Sequence, residues 1–202
     1  IKFIYLIMIK KISINLFLSY ILIFFGIFIA FNRGSNFADG DSYSLINAYL
    51  SLIDGSVYSP SRGAYGHPIP EFLIGIISYN FGTKISNIFC FLLFTLSIIF
   101  FYKGFLKNNK DINLFILLVL SNSYLFLENA SSVDYPIALF FLSIGFYFLQ
   151  NKKYLLSFIF FGLTIASRVN FLIFIYPVLI IYFFNEIRKK KFKNLINSFF
   201  IT

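Results

Sequence analysis

Read as apolar and polar positions, the chain alternates long runs of Ile, Leu and Phe with short polar interruptions, and the runs are nearly free of charge. A helix needs about 20 apolar residues, with a range of roughly 17–25, to cross the hydrocarbon core of a bilayer. Six runs approach that length: Ile14–Phe31, Ile85–Tyr102, Ile112–Leu127, Val133–Gln150, Leu155–Ser167 and Phe171–Phe184. The fifth reaches it with Tyr154 and Arg168 snorkelling at its ends. A seventh run, Ile69–Phe81, adjoins prolines and suits a helix lying in the interface or dipping partly into it. Between the first two spans, Leu45, Ile46, Tyr49, Leu50 and Ile53 recur at helical spacing, which gives a second surface helix one apolar face. Asp54-Gly55 reads as its stop. The pattern predicts an all-α polytopic membrane protein of about six transmembrane helices. Its long first extracytoplasmic loop, residues 32–84, carries interfacial helices.

Composition agrees with that pattern. Of 202 residues 59% are hydrophobic, 12% are charged and 31 are Phe, and the mean hydropathy is +0.83. A soluble domain carries about a quarter charged residues, and a water-facing fold could not absorb so many Phe without large exposed apolar patches. The single cysteine, Cys90, excludes an internal disulfide framework and a cysteine-based metal cluster, and its apolar neighbours make it a small buried hydrophobe. No A-x-A-like cleavage site follows the first apolar run, which therefore reads as a retained anchor. A start at Ile1 and the new apolar run in NLINSFFIT mark residues 1–202 as one transmembrane domain, the N-terminal part of a longer protein.

Charge then orients the spans. Thirteen basic residues fall on one side: Lys2, Lys10 and Lys11; Lys103, Lys107 and Lys110; Lys152 and Lys153; and Arg188, Lys189, Lys190, Lys191 and Lys193. Only Asp111 and Glu186 are acidic there. The other side sets Arg33, Arg62, Lys84 and Arg168 against Asp39, Asp41, Asp54, Glu71, Glu128 and Asp134. The positive-inside rule places the lysine-rich side, with the N-terminus, in the cytoplasm of a cell inner or plasma membrane. The net charge of +9 is then a set of topology anchors and not a nucleic-acid surface. The run at Arg188–Lys193 can also meet anionic headgroups.

The polar island from Asn32 to Glu71 collects four of the eight acids, two of the four arginines and the only histidine, His67. Asp39 and Asp41 flank Gly40; as acids in a glycine-containing turn they suit a helix N-cap, or equally a general base or a sugar- or metal-binding carboxylate. Asp54 is turn chemistry. In SPSRGAYGHPIPE, two glycines and three prolines shape a loop. Arg62 presents a fork suited to phosphate, His67 an acid–base or phosphate-facing group, and Glu71 either a ligand or a first-turn acid favoured by the helix dipole. Asp134, before Tyr135-Pro136, fits an N-cap. Arg168 interrupts the apolar stretch from Tyr154 to Phe184, where a charge needs a phosphate or a loop acid as partner. Two aspartates and one histidine are too few for a metal site, and no metal or cofactor is expected.

The order of these pieces resembles a known family. A first span, then ADGDSYSL, then G-x-x-Y-x-x-S-R and GHP-x-P-E, is similar to the first extracytoplasmic loop of GT-C-type integral-membrane glycosyltransferases, nearest their protein-mannosyltransferase-like branch, which includes dolichyl-phosphate-mannose mannosyltransferases. SSVDYPIALFFL and FGLTIASRVNFLIF also look like that family. The resemblance covers nearly all of the chain. It implies a hexosyltransferase that moves a sugar from a polyprenyl- or dolichyl-phosphate donor to a glycan, lipid or protein acceptor outside the cytoplasm. Asp41 first, and Asp39 second, would be the catalytic base, with Arg62, His67, Glu71, Arg168 and Asp134 facing the lipid phosphate and sugar. The Asp-Gly-Asp spacing departs from the Asp-Glu pair of many relatives. Alternatives are a polytopic transporter or flippase, or an O-antigen-polymerase-like protein, handling lipid-linked glycans. A transporter should show repeats or mid-membrane charges, and the chain has neither.

Overall fold

Each described element is helical, in an order set by the apolar runs and the residues that interrupt them. The structure, a computed structural model, describes residues 2–33, 40–61, 66–105 and 111–188, without the side chains of residues 2–13, 40, 41 and 186–188. The helices are α1 (Lys2–Arg33), α2 (Gly40–Ile53), α3 (Pro68–Phe81), α4 (Thr83–Phe105), α5 (Ile112–Leu120), α6 (Ser123–Glu128), α7 (Asp134–Gln150), α8 (Tyr154–Ser167) and α9 (Leu172–Arg188). A 3-10 turn, Val169–Phe171, joins the last two.

α4 is the central post. It packs most extensively on α7 and also against α1, α3 and α5. Phe91 and Cys90 are fully buried on it. Burying a side chain such as Phe91 stabilises by about 1.5–3 kcal/mol. α1 crosses α4 closely because Gly26 has no side chain: a Cβ there would lie 1.9 Å from Phe91 Cζ. The opposite face of α1 is open, with Phe17 65%, Phe24 71% and Phe28 63% exposed. Residues 14–33 and 83–105 are the two described helical stretches long and apolar enough to cross a membrane. α7, α8 and the stretch 169–185 are apolar but shorter.

Two expectations change. The run Ile112–Leu127 is not one helix but two, α5 and α6, because Asn122 breaks it: its side chain accepts a hydrogen bond from the Leu125 amide at 3.1 Å and caps a new helix. At about 1.5 Å per residue neither piece crosses a bilayer alone. Asp134, expected as an N-cap, sits inside the first turn of α7; Val133 is the cap, without a side-chain bond. Asp134 is thereby left to make a tertiary contact instead.

The two expected surface helices are present, and they pack on each other and on the bundle. Pro68 and Pro70 start α3, where a missing N–H costs nothing, and Gly82, at φ 85°, ends it and turns the chain directly into α4. Tyr49 of α2 lies on Gly75 of α3, with Phe72 and Tyr79 edge-on to its ring at 5.9 and 6.4 Å between centroids. Leu45, Ile74, Cys90 and Ile137 close a core that ties this hairpin to α4 and α7. A Cβ on Gly75 would lie 2.1 Å from Tyr49 Cβ, whereas Gly162 on α8 faces open space. Gly75→Leu should therefore lower stability by about 1–3 kcal/mol. Gly162→Ala should be neutral or stabilising by up to about 1 kcal/mol. Thermal unfolding of the two variants in one detergent checks the contrast.

Candidate functional site

The segment Asn129–Asp134, non-helical up to Val133, after which α7 begins, is buried throughout. Buried polar groups must find partners, and here they come from several elements. Arg33, at the end of α1, donates through Nη1 to the Leu127 carbonyl and to Ser131 Oγ at 2.6 Å. Ser42 of α2 donates to the Ser132 carbonyl at 2.6 Å. Ser132 Oγ bonds Ser86 Oγ at 2.8 Å and Asn87 Oδ1 at 2.7 Å on α4. Cys90 Sγ lies 3.8 Å from the Val133 carbonyl. Helices distant in sequence are thus pinned to one six-residue segment.

Asp134 closes it. Its side chain is 2% exposed, and Oδ2 accepts from Arg168 Nη1 at 2.6 Å. Arg168 occupies the extended residue between α8 and the 3-10 turn. Its guanidinium lies over the Tyr135 ring, 3.5 Å from the centroid, and Nη2 donates to the Tyr135 hydroxyl. Among the described residues, Asp134 and Tyr135 take two of the five guanidinium donors in this way. His67 Nε2 stands 3.6 Å from the same Asp134 oxygen. That is beyond hydrogen-bond length, so this contact is an ionic one made only by a protonated ring. Arg168, His67 and Asp134 therefore meet, and Asp134 is the loop acid that Arg168 needs.

Glu71 touches this cluster only through the His67 backbone among the described residues. Its Oε1 accepts from the amides of Ser61 and His67, at 2.9 and 2.8 Å, and from Ser61 Oγ, while Oε2 accepts from the Tyr58 hydroxyl. Burial alone would push this carboxyl up; the bonds from Ser61, Tyr58 and His67 outweigh it and hold Glu71 below the usual carboxylate range. Burial and the neighbouring carboxylate push Tyr58 up to about 12. Glu71 fastens Tyr58, Ser61 and His67 to the start of α3.

Of the other residues singled out in the sequence, Asp39 and Arg62 lie outside the described residues. Asp41 lies in the first turn of α2, next to Ser42 and hence beside the Ser132 end of the buried segment; its side chain is outside the description. Sequence reasoning missed Arg33, Ser42, Ser132, Tyr58 and Tyr135. Arg33 carried one signal, as an arginine ending a span on the side poor in basic residues. The serines and tyrosines carried none. Among the described residues no three His, Cys, Asp or Glu side chains gather as a metal site. No protein-family model matches the chain, and comparison with curated proteins and with solved structures finds no match.

Asp134→Asn should cost about 1–3 kcal/mol by leaving the partly buried Arg168 without its anion, and Arg168→Gln added to it should recover part of that loss. A double-mutant cycle on thermal unfolding reads the coupling. The Glu71 fastening makes a separate prediction. A carboxyl held low in the fold contributes stability present above its ordinary value of 4.5 and lost as pH falls through the lowered one. Tyr58, held high, contributes stability that is full below its ordinary value of 10.0 and lost as pH rises towards about 12. Protection factors of the Ser61 and His67 amides, corrected for intrinsic exchange, should fall at both extremes and stay high between them. In Glu71→Gln they should be lower at neutral pH and nearly flat on the acid side.

Proposed function

We propose that the chain is the membrane-embedded part of a GT-C-like glycosyltransferase, moving a sugar from a polyprenyl- or dolichyl-phosphate carrier to an acceptor outside the cytoplasm. In this reading α1, α4, α7, α8, α9 and the α5–α6 pair make six passes with cytoplasmic termini, and the α2–α3 hairpin lies over the extracytoplasmic end. The single observation that supports it is the meeting of Arg168, His67 and Asp134 beside the start of α2, at the end of the bundle where α1 stops and α4 begins. A lipid-linked phosphate sits at such a boundary, and an arginine held by Asp134 and Tyr135 is preorganised to meet its developing charge.

Each group then has a role. Asp41 takes the proton of the acceptor hydroxyl as it attacks the anomeric carbon, and Asp39 is the second choice for that role. The bond from that carbon to the phosphate oxygen breaks, and the phosphate leaves with the lipid. Arg168 and His67, with Arg62, stabilise the departing anion through donors that Asp134 does not occupy. Glu71 acts by position, holding the loop that carries Arg62 and His67.

The test is transfer from radiolabelled polyprenyl-phosphate sugars in membranes containing the full-length protein. Asp41→Asn should lower transfer by about 10²–10⁴-fold at unchanged expression and membrane insertion. Full transfer by that variant removes Asp41 from the chemistry, and transfer lost only in Asp39→Asn moves the base to Asp39.

A further inference from the structure

At the loop-bearing end of the bundle the described cations are Arg33, Lys84 and Arg168, besides the His67 ring, and only Arg168 has a carboxylate within ion-pair distance among the described residues, apart from the His67 approach to the same Asp134. Arg33 is held by two neutral oxygens, the Leu127 carbonyl and Ser131 Oγ, which orient the guanidinium without cancelling its charge. Lys84 is exposed, with its Nζ 4.8 Å from the centroid of the Phe31 ring. Glu128, next to the carbonyl that Arg33 binds, is solvent-exposed and pairs with neither.

The two cations share one place. α1 and α4 run antiparallel, with Gly26 against Phe91 and, one turn on, the Ala30 carbonyl bonded to Asn87 Nδ2 at 3.3 Å. The same register continued one further turn sets Arg33 opposite Lys84, and the Lys84–Phe31 contact agrees with it. Both residues therefore flank the mouth of the α1–α4 seam, where the two helices long and apolar enough to cross a membrane begin and end. Below them the seam is apolar, and Phe31 is 46% exposed at its rim. A fork and a point charge at the edge of an apolar wall suit a phosphodiester with acyl chains attached. An uncompensated cation at such a boundary is costly without an anion.

We propose that Arg33 and Lys84 form a binding site for the phosphate of an anionic phospholipid, seated at the α1–α4 seam with its chains along α1. The site is separate from the Arg168 cluster. It rests on the membrane reading of the chain and not on sugar transfer. It accounts for two basic residues retained on the side where topology disfavours them.

Native mass spectrometry of the full chain, purified in detergent and titrated with phosphatidylglycerol or phosphatidylcholine, tests it. The wild type should retain one tightly held phosphatidylglycerol in preference to phosphatidylcholine. Lys84→Gln, an exposed change that leaves the fold intact, should weaken that lipid roughly five-fold, and Lys84→Glu more. Arg33→Gln should do the same, with a thermal melt in phosphatidylcholine as its folding control. Equal retention of the two lipids, or phosphatidylglycerol binding unmoved by both Lys84 changes, overturns the site. Displacement of the lipid by millimolar inorganic phosphate overturns the choice of a lipid as ligand. A chain washed from membranes by alkaline carbonate overturns the membrane reading and this site with it, while a failed transfer assay leaves the site standing.

Discussion

A buried, non-helical segment inside a shell of phenylalanine and isoleucine is the constraint on which the other contacts depend. Residues 129–133 lie outside any helical ladder, and an apolar interior offers no solvent to their polar groups. The chain meets the requirement by sending polar side chains from the surrounding elements: Arg33 from α1, Ser42 from α2, Ser86 and Asn87 from α4, and Arg168 from beyond α8. Each bond is worth only about 1 kcal/mol net when made. The arrangement matters because leaving any of these groups unpaired costs more than pairing them gains. Asn129 Oδ1 is the exception, buried without a partner.

The same requirement builds the candidate site. Pinning α2 through Ser42 brings the Asp41 end of that helix to the segment, and Asp134 at its other end fixes Arg168. Glu71 holds the proline-rich loop so that His67 faces the same carboxylate. Two carboxylates therefore divide the labour by surroundings. Glu71 is saturated by local contacts from Tyr58, Ser61 and His67, while Asp134 faces Arg168 and the His67 ring. The first sets the placement of Ser61 and His67, and the second holds Arg168.

How much of this was legible in the sequence depends on the range of the interaction involved. α2 and α3 could be read because their signals are local: a helical period in Leu45–Ile53, prolines before Ile69 and glycines after each helix. The break at Asn122 was hidden by apolar residues on both sides, since one capping amide outweighs a hydropathy average only where its geometry is seen. That Arg168 needs an anion follows from its apolar neighbours; that the anion is Asp134, 34 positions away, is a fact of packing. The serines of the buried segment were invisible for the same reason, because nothing local distinguishes a serine that bonds across the fold from one that faces solvent; Arg33 showed only its place at the end of a span.

The central claim is that residues 129–134 are the buried junction of the helices. The most direct measurement is a disulfide between Ser86→Cys and Ser132→Cys, whose hydroxyls are 2.8 Å apart, in a Cys90→Ala background and in native membranes. The account predicts rapid, near-complete cross-linking with a mild oxidant, read as a mobility shift after cleavage between α4 and α7. Persistently free thiols in the folded protein would contradict it.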